Sequence, residues 1–410
     1  MSAEKDLLKN LSKLEMIELD SCTRCSECLN WCGIQDATGD PSLSPPEKIK
    51  TFRDFVRGTH GLRARLLGGK EISEEEWKKF QEAIYTCTGC GNCGEVCPVG
   101  IHTQRLWWSL RRKMVDMGYK PPGGLPNLLK NAKEYHSIFP HSLGLRYKIW
   151  MPEGIKIAEN AELGYFEGCD VAWDAPAMAS GTVKLLQAGG QEFTMLDPEE
   201  AWCCGWPLTV TGQWEIMEEL VEHNIEAYAS RGVERLACSC PCCLQEFRGI
   251  WPKVHGGKLP FEVLHITEVV ADLINEGRIE FTKKANETVT YHDPCQLTRG
   301  LEGPVVSNAP RKLINSIPGV KYVELPRKGT LTRCCGAGGG IRGHKPDVAM
   351  TMGEMFIKEA EETGADTLLM NCPACYGMYV YRRLGKLQEW KDYQPKIKMD
   401  DIMQYASRFL

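Results

Sequence analysis

TVTYHDPC, residues 288–295, is followed by the adjacent pair Cys334-Cys335 with GAGGG behind it (336–340), and then by Cys372-Pro373-Ala374-Cys375. An earlier stretch repeats this order: GYFEGC, residues 164–169, then Cys203-Cys204-Gly205, then Cys240-Pro241-Cys242-Cys243. The intervals agree, with 34 residues from Cys169 to Cys203 against 39 from Cys295 to Cys334, and 36 from Cys204 to Cys240 against 37 from Cys335 to Cys372. A pattern recurring at matched spacing means two similar units.

Each copy alternates strand-like and helical segments. In the first, GYFEG, EFTML, VERLACS and EVLHI read as strands, and APAMASGTVKLLQAGG, WEIMEELVEHNIEAYASRG and TEVVADLINEG as helices. In the second, VTYHD, KYVEL and ADTLLMN read as strands, APRKLINSI and DVAMTMGEMFIKEAEETG as helices, and the closing KMDDIMQYASRFL takes the place of ITEVVADLINEG. This alternation predicts a mainly parallel, right-handed α/β unit in each copy, with the cysteines on loops at strand ends, where such folds place their sites.

Each copy supplies five thiols in the pattern. Zinc takes four ligands and a cubane iron–sulfur cluster takes four thiolates, so either leaves one sulfur over in both copies. Adjacent cysteines on a strand point to opposite faces, so a pair serving one centre needs a sharp turn, which Gly205 and Gly336 provide. Cys238 and Cys242 fall outside the pattern: Cys238 reads as a buried, inert thiol, and Cys242 is a rival to Cys243, which the match with Cys372-Pro373-Ala374-Cys375 favours.

Further towards the N-terminus stand two four-cysteine runs, Cys22-x-x-Cys25-x-x-Cys28-x-x-x-Cys32 and Cys87-x-x-Cys90-x-x-Cys93-x-x-x-Cys97-Pro98. In the two-cluster ferredoxin pattern the fourth cysteine of each run serves the other cluster. Cys22, Cys25, Cys28 and Cys97 are therefore assigned to one [4Fe-4S] cubane, and Cys87, Cys90, Cys93 and Cys32 to a second. Gly33 stands where the pattern usually has proline. LLKNLSKLEMIEL, PPEKIKTFRDFV, SEEEWKKFQEAIY (Ser73 as N-cap, Glu76 three residues on) and TQRLWWSLRRKMVDMG have helical spacing. Trp107 and Trp108 read as packing residues ahead of a partner-docking face.

The 410 residues suggest two or three domains, divided as a ferredoxin-type domain over 1–120, a linker over 121–160 and the two repeats over 161–285 and 286–410. With 49 basic against 54 acidic residues the net charge is −5, which offers no general attraction to nucleic acid. No segment reaches the roughly 18 to 20 apolar residues that span a bilayer, and the opening MSAEKDLLKN lacks a secretory pattern. The chain reads as cytoplasmic, reaching the inner face of the membrane only through a partner.

The tandem C…CCG…CxxC arrangement resembles the cysteine-rich CCG domains of heterodisulfide reductase, those of its catalytic D component or of the related B component, from about Cys22 to the end. In that family the five cysteines of a domain hold a non-cubane cluster of two fused iron–sulfur units. The resemblance implies such ligand sets at Cys169, Cys203, Cys204, Cys240 and Cys243 and at Cys295, Cys334, Cys335, Cys372 and Cys375. It implies catalysis at these ten cysteines, two CCG domains facing each other about a pseudo-two-fold axis, and reduction or formation of a disulfide fed through two cubane clusters. The expected partner is a membrane b-type cytochrome or another iron–sulfur subunit. The substrate is a small-molecule disulfide or, as in the similar component of sulphate-reducer membrane complexes, a protein-borne disulfide or trisulfide. The rival reading is an electron relay resembling the CCG proteins attached to glycerol-phosphate or lactate oxidation or aromatic-ring reduction.

Around the second set, His292 and Asp293 read as a hydrogen-bonded pair shaping the loop ahead of a proton-handling role. Gln296 stands where the family has histidine after its cysteine. Arg299, Arg333, Arg342 and His344 are candidate receivers of an anionic substrate, and the glycine run 336–340 reads as a close backbone wrap around the cluster.

Overall fold

The computed structural model describes residues 7, 11–141, 143–300, 302–383 and 393–410. The chain divides into two compact units that are not simply consecutive: unit 1 is Met1–Pro126 with Pro207–Trp214 and Gly336–Met352, and unit 2 is Asn127–Trp206, Glu215–Cys335 and Gly353–Leu410. The short segments that follow the two cysteine pairs thus belong to unit 1.

Unit 1 is helical. Its main elements are α1 (Lys13–Ser21), α2 (Pro45–His60), α3 (Glu74–Tyr85) and α4 (Thr103–Asp116). The first part of the helix expected from Leu7 falls partly outside the described residues, and α1 starts after Ser12, whose hydroxyl accepts from the Glu15 backbone while the Glu15 carboxylate accepts from Ser12 N. α3 begins as expected at Ser73 with the same reciprocal cap to Glu76. The α2 and α3 faces meet through Phe52, Phe55, Trp77 and Phe80, with Phe55 and Trp77 edge-on at 4.7 Å, a geometry that adds about 0.5–1.5 kcal/mol beyond area burial. Trp107 and Trp108 of α4 are buried in this core.

Unit 2 carries two sheets in which every pairing is parallel. The first has the order β1 (Leu163–Phe166), β2 (Arg235–Cys238), β3 (Glu262–His265), and the second β5 (Val320–Tyr322), β4 (Glu287–Tyr291), β6 (Thr367–Met370), β7 (Lys398–Asp401). Parallel strands need both faces covered, and β1 and β6 are buried at every residue.

Two strand expectations need correction. EFTML contributes only bridges at Thr194, to Ala158 and Gly164, because β1 is met there at a single paired position. KMDD forms β7, where the sequence pattern predicts a continuous closing helix: alternation there is masked by Asp400, which pairs with Arg408, and by Asp401, whose Oδ1 caps the helix that follows by accepting from Met403 N and Gln404 N.

The helices of the two copies pack crosswise within unit 2. Following β1 come α5 (Cys169–Asp174) and α6 (Pro176–Ala188), following β2 α7 (Pro241–Gly249), and following β3 α8 (Ile266–Asn275). Their counterparts in the second copy are α9 (Cys295–Thr298), α10 (Asn308–Asn315), α11 (Pro373–Arg383) and α12 (Ile402–Ser407). Helix α5 packs on α11 and α7 on α9, while α6 packs on α12 and α8 on α10.

Candidate metal centres

In unit 1 the eight ferredoxin-pattern cysteines line two cavities. One is lined by Cys22, Cys25, Cys28 and Cys97 together with Cys93. The other is lined by Cys32, Cys87, Cys90 and Cys93. Cys97 lies with the first run and Cys32 with the second, while Cys93 lines both cavities. The first loop is bent sharply, with Arg24 at φ 59° and Ser26 at φ 67°, and Cys25 on it is exposed.

Crowding makes these thiols resist ionisation in the absence of a cation. Burial, then the neighbours Cys93, Cys32 and Cys22, push Cys28 up to about 12. Burial with Cys90 and Cys87 pushes Cys93 up to about 12. Cys32 is pushed up to about 11 by burial, against which the Lys48 ammonium works. A carboxylate-free set of sulfurs suits iron–sulfur clusters or zinc. The described residues include all twenty cysteines, and no two of them form a disulfide.

In unit 2 the five cysteines of the first set form one chain of sulfur contacts. Cys169, at the start of α5, lies 3.8 Å from Cys203. Cys204 is hydrogen-bonded to Cys203 and to Cys243, and Cys243 to Cys240. Five sulfurs linked in this way exceed a zinc shell. Gly205, at φ +96°, and Gly336, at φ +88°, make the turns expected after the two pairs, and the Trp251 indole donates to Cys204 O at 2.9 Å.

In the second set Cys335 lies 3.1 Å from Cys375, and Cys375 is hydrogen-bonded to Cys372. Cys334 is buried beside Cys335, and half-buried Cys295 begins α9 at the end of β4. Cysteines thus stand where the helices after β1, β2, β4 and β6 begin, at the strand ends that the α/β pattern predicted.

Cys242 joins the two sets. Its thiol donates to the sulfurs of Cys240 and Cys372, which holds both below the ordinary thiol range and Cys242 above it. In sequence this residue reads only as a rival to Cys243; the signal was its presence where the second copy has Ala374. Cys238, fully buried against the carbonyls of Cys240 and Leu264, has the inert place expected of it.

His292 and Asp293 separate in role, contrary to the expected pair. Asp293 takes both guanidinium arms of Arg311 at 2.7 Å and the Gly329 N–H at 2.7 Å, so it shapes the loop. His292 instead turns inward, its ring within 4.8 Å of the Cys335 and Cys375 sulfurs. Burial pushes its pKa down to about 4. The first copy has Phe166 and Glu167 at these places, and Glu167 pairs with Arg146 at 2.6 Å, each side chain about 1% exposed.

The four candidate anion receivers are divided between the two units. Arg299 donates to the carbonyls of Thr330 and Thr332 and Arg333 to Glu359 at 2.7 Å. Arg342 and His344 belong to unit 1, where His344 lies 3.1 Å from Glu82. The glycine run also differs from expectation: a Cβ on Gly338 would stand 2.6 Å from Thr88 O, and Gly339 approaches the Cys87 carbonyl still more closely. The run wraps the ferredoxin-type motif of unit 1.

Sulfur sites on this scaffold define an iron–sulfur oxidoreductase, and comparison with known proteins agrees. The 4Fe-4S dicluster domain family matches residues 18–101, and the cysteine-rich domain family matches residues 163–248 and 289–379. The D component of the dihydromethanophenazine:CoB–CoM heterodisulfide reductase of Methanosarcina barkeri is 40% identical over 372 residues, 90% of each chain. The B component of the fumarate reductase (CoM/CoB) of Methanothermobacter marburgensis is 30% identical over 87% of this chain and 67% of its own. The EtfAB:quinone oxidoreductase of Syntrophomonas wolfei is 27% identical over 89% of this chain and 55% of its own. The chain belongs to the family of the heterodisulfide reductase D component. Among the described residues no helix is long and apolar enough to cross a membrane.

Proposed function

We propose that this chain cleaves, or in reverse forms, a disulfide-type bond at two neighbouring sulfur sites in unit 2, with electrons arriving one at a time through unit 1. The assignments follow the cysteine sets. Cys22, Cys25, Cys28 and Cys97 hold one [4Fe-4S] cubane, and Cys32, Cys87, Cys90 and Cys93 the other. Cys169, Cys203, Cys204, Cys240 and Cys243 hold one non-cubane cluster, and Cys295, Cys334, Cys335, Cys372 and Cys375 a second. The division into 1–120, 121–160, 161–285 and 286–410 belongs to the same reading.

The observation that carries it is the sulfur path Cys240–Cys242–Cys372, one member from each set with Cys242 between. Reducing a disulfide to two thiols takes two electrons and two protons. When bound, the clusters supply electrons singly. Two sites side by side answer the mismatch, one for each half of the substrate. The crosswise packing of α5 on α11 and α7 on α9 supports a pseudo-two-fold relation between the CCG domains. Neutral, buried His292 lies beside the second set only, so the two halves of a substrate meet different surroundings. The partner is a membrane b-type cytochrome or another iron–sulfur subunit, and the chain sits at the inner face of the cytoplasmic membrane through it. The substrate is a small-molecule or protein-borne disulfide or trisulfide.

Anaerobic iron and sulfide content with EPR of the oxidised protein, before and after candidate thiols, tests the reading. About 16 irons per chain, the count for four four-iron clusters, with a thiol-induced paramagnetic signal is the expected result. About 8 irons with only reduced-cubane signals overturns it in favour of an electron relay.

A further inference from the structure

Two buried cations flank the cavity of Cys32, Cys87, Cys90 and Cys93, and among the described residues neither meets a carboxylate. Lys48 of α2 is 2% exposed, lines that cavity and donates Nζ to Thr86 O at 3.2 Å, with its ammonium 5.9 Å from the Trp107 ring centre. Arg111 of α4 is fully buried. Its guanidinium lies about 5 Å from the rings of Tyr85 and Trp108 and donates only to backbone carbonyls, among them Cys87 O at 2.8 Å and Ile84 O at 3.0 Å. Around the other cavity the cations are not fully buried: Arg24 is exposed and paired with Glu47, and Arg53, which donates to Cys22 O at 3.1 Å, is half-buried.

A cation taken out of water without an anion is costly, and this unit retains two of them beside four sulfurs. The anion that answers them is the thiolate set and what it holds. We propose that Lys48 and Arg111 are the counter-charges of the iron–sulfur cluster at Cys32, Cys87, Cys90 and Cys93, and that they raise its reduction potential above that of the cluster at Cys22, Cys25, Cys28 and Cys97. The inference rests on the ligand assignment proposed above. Reduction adds one negative charge to a cluster. Fixed positive charge in a medium of low dielectric stabilises the reduced form, whereas burial alone favours the less charged one. Electrons entering at the exposed Cys25 loop then run downhill to the inner site.

Arg111 has a second consequence. It also donates to Val210 O at 2.6 Å and Gly339 O at 2.7 Å, carbonyls of the two segments that follow the cysteine pairs. One guanidinium therefore both answers the inner cluster and fixes these segments within unit 1, which makes it a positioning residue.

The test is a potentiometric EPR titration of the full-length holoprotein, with a Cys25→Ser variant marking the signal of the exposed site. Lys48→Met and Arg111→Gln are expected to lower the midpoint of the inner cubane signal alone, by about tenfold in the reduced-to-oxidised ratio at fixed potential (~59 mV for one electron). Lys48→Arg and Arg111→Lys should restore it. If Lys48→Met, which removes only one hydrogen bond, keeps its iron and sulfide and shifts neither signal, or shifts both equally, the inference is overturned whatever the fate of Arg111→Gln. A wild-type protein lacking two cubane signals instead overturns the ligand assignment, and the inference with it.

Discussion

At the scale of single residues, the acids that precede each first cysteine show what the strand-end loops need. Glu167 with Arg146 is a fully buried pair and buried Asp293 is held by half-buried Arg311, and removing one partner leaves a charge stranded. Arg146→Met is expected to destabilise unit 2 by about 3–5 kcal/mol, read as a lowered urea midpoint. Cys242 makes a sharper distinction. Because the second copy does without a thiol at Ala374, Cys242→Ser should leave iron and sulfide content at the wild-type value, whereas Cys243→Ser should lose up to one four-iron cluster, about 4 irons per chain; equal losses in both variants would reverse their roles.

His265 adds a pH dependence. Its ring accepts from Thr267 N at the start of α8, and burial pushes its pKa from 6.5 down to about 3. The folded value lies below the unfolded one, so the neutral ring's contribution is complete above pH 6.5 and is lost as pH falls towards 3, by about 1.4 kcal/mol per pH unit. His265→Asn should flatten that slope in urea titrations between pH 6.5 and 4.5.

At the scale of elements, strand identity was legible where apolar residues run without interruption, as in β1 and β6. It was lost where acidic residues with partners beyond the strand interrupt the apolar pattern, as Asp400 and Asp401 do in β7. The capped start of α3 was legible because Ser73 and Glu76 act within one turn. The glycine run 336–340 was legible as a wrap, but its object was not, since Cys87 and Thr88 lie some 250 residues earlier in the chain. Gly339 stands at φ +63° against the Cys87 carbonyl. A Gly339→Ala change is expected to cost about 1–2 kcal/mol from the left-handed backbone alone and to broaden the EPR signal of the inner cubane while leaving the exposed one unchanged.

At the scale of the whole molecule, catalysis at two sites and relay through one make different demands. If each half of the substrate needs its own sulfur set, Cys204→Ser and Cys335→Ser should each abolish disulfide cleavage, with the cubane signals of unit 1 intact. Cleavage surviving in both variants would remove the ten cysteines of unit 2 from catalysis.

The cysteine spacing alone determined the two four-thiol runs and the two five-thiol sets, and the hydrophobic pattern between them the parallel α/β repeats that carry them. These patterns are local: ligand spacing and hydrophobic period are set by the geometry of a turn, a helix or a strand. The tertiary structure alone decided that Cys242 links the sets, that His292 and Asp293 part company, that Arg299 and Arg333 are committed to protein partners, and that Lys48 and Arg111 lie beside one of the two cysteine-lined cavities. Each of these depends on which groups meet across the core and on how little water reaches them, and neither is written in the order of residues along the chain.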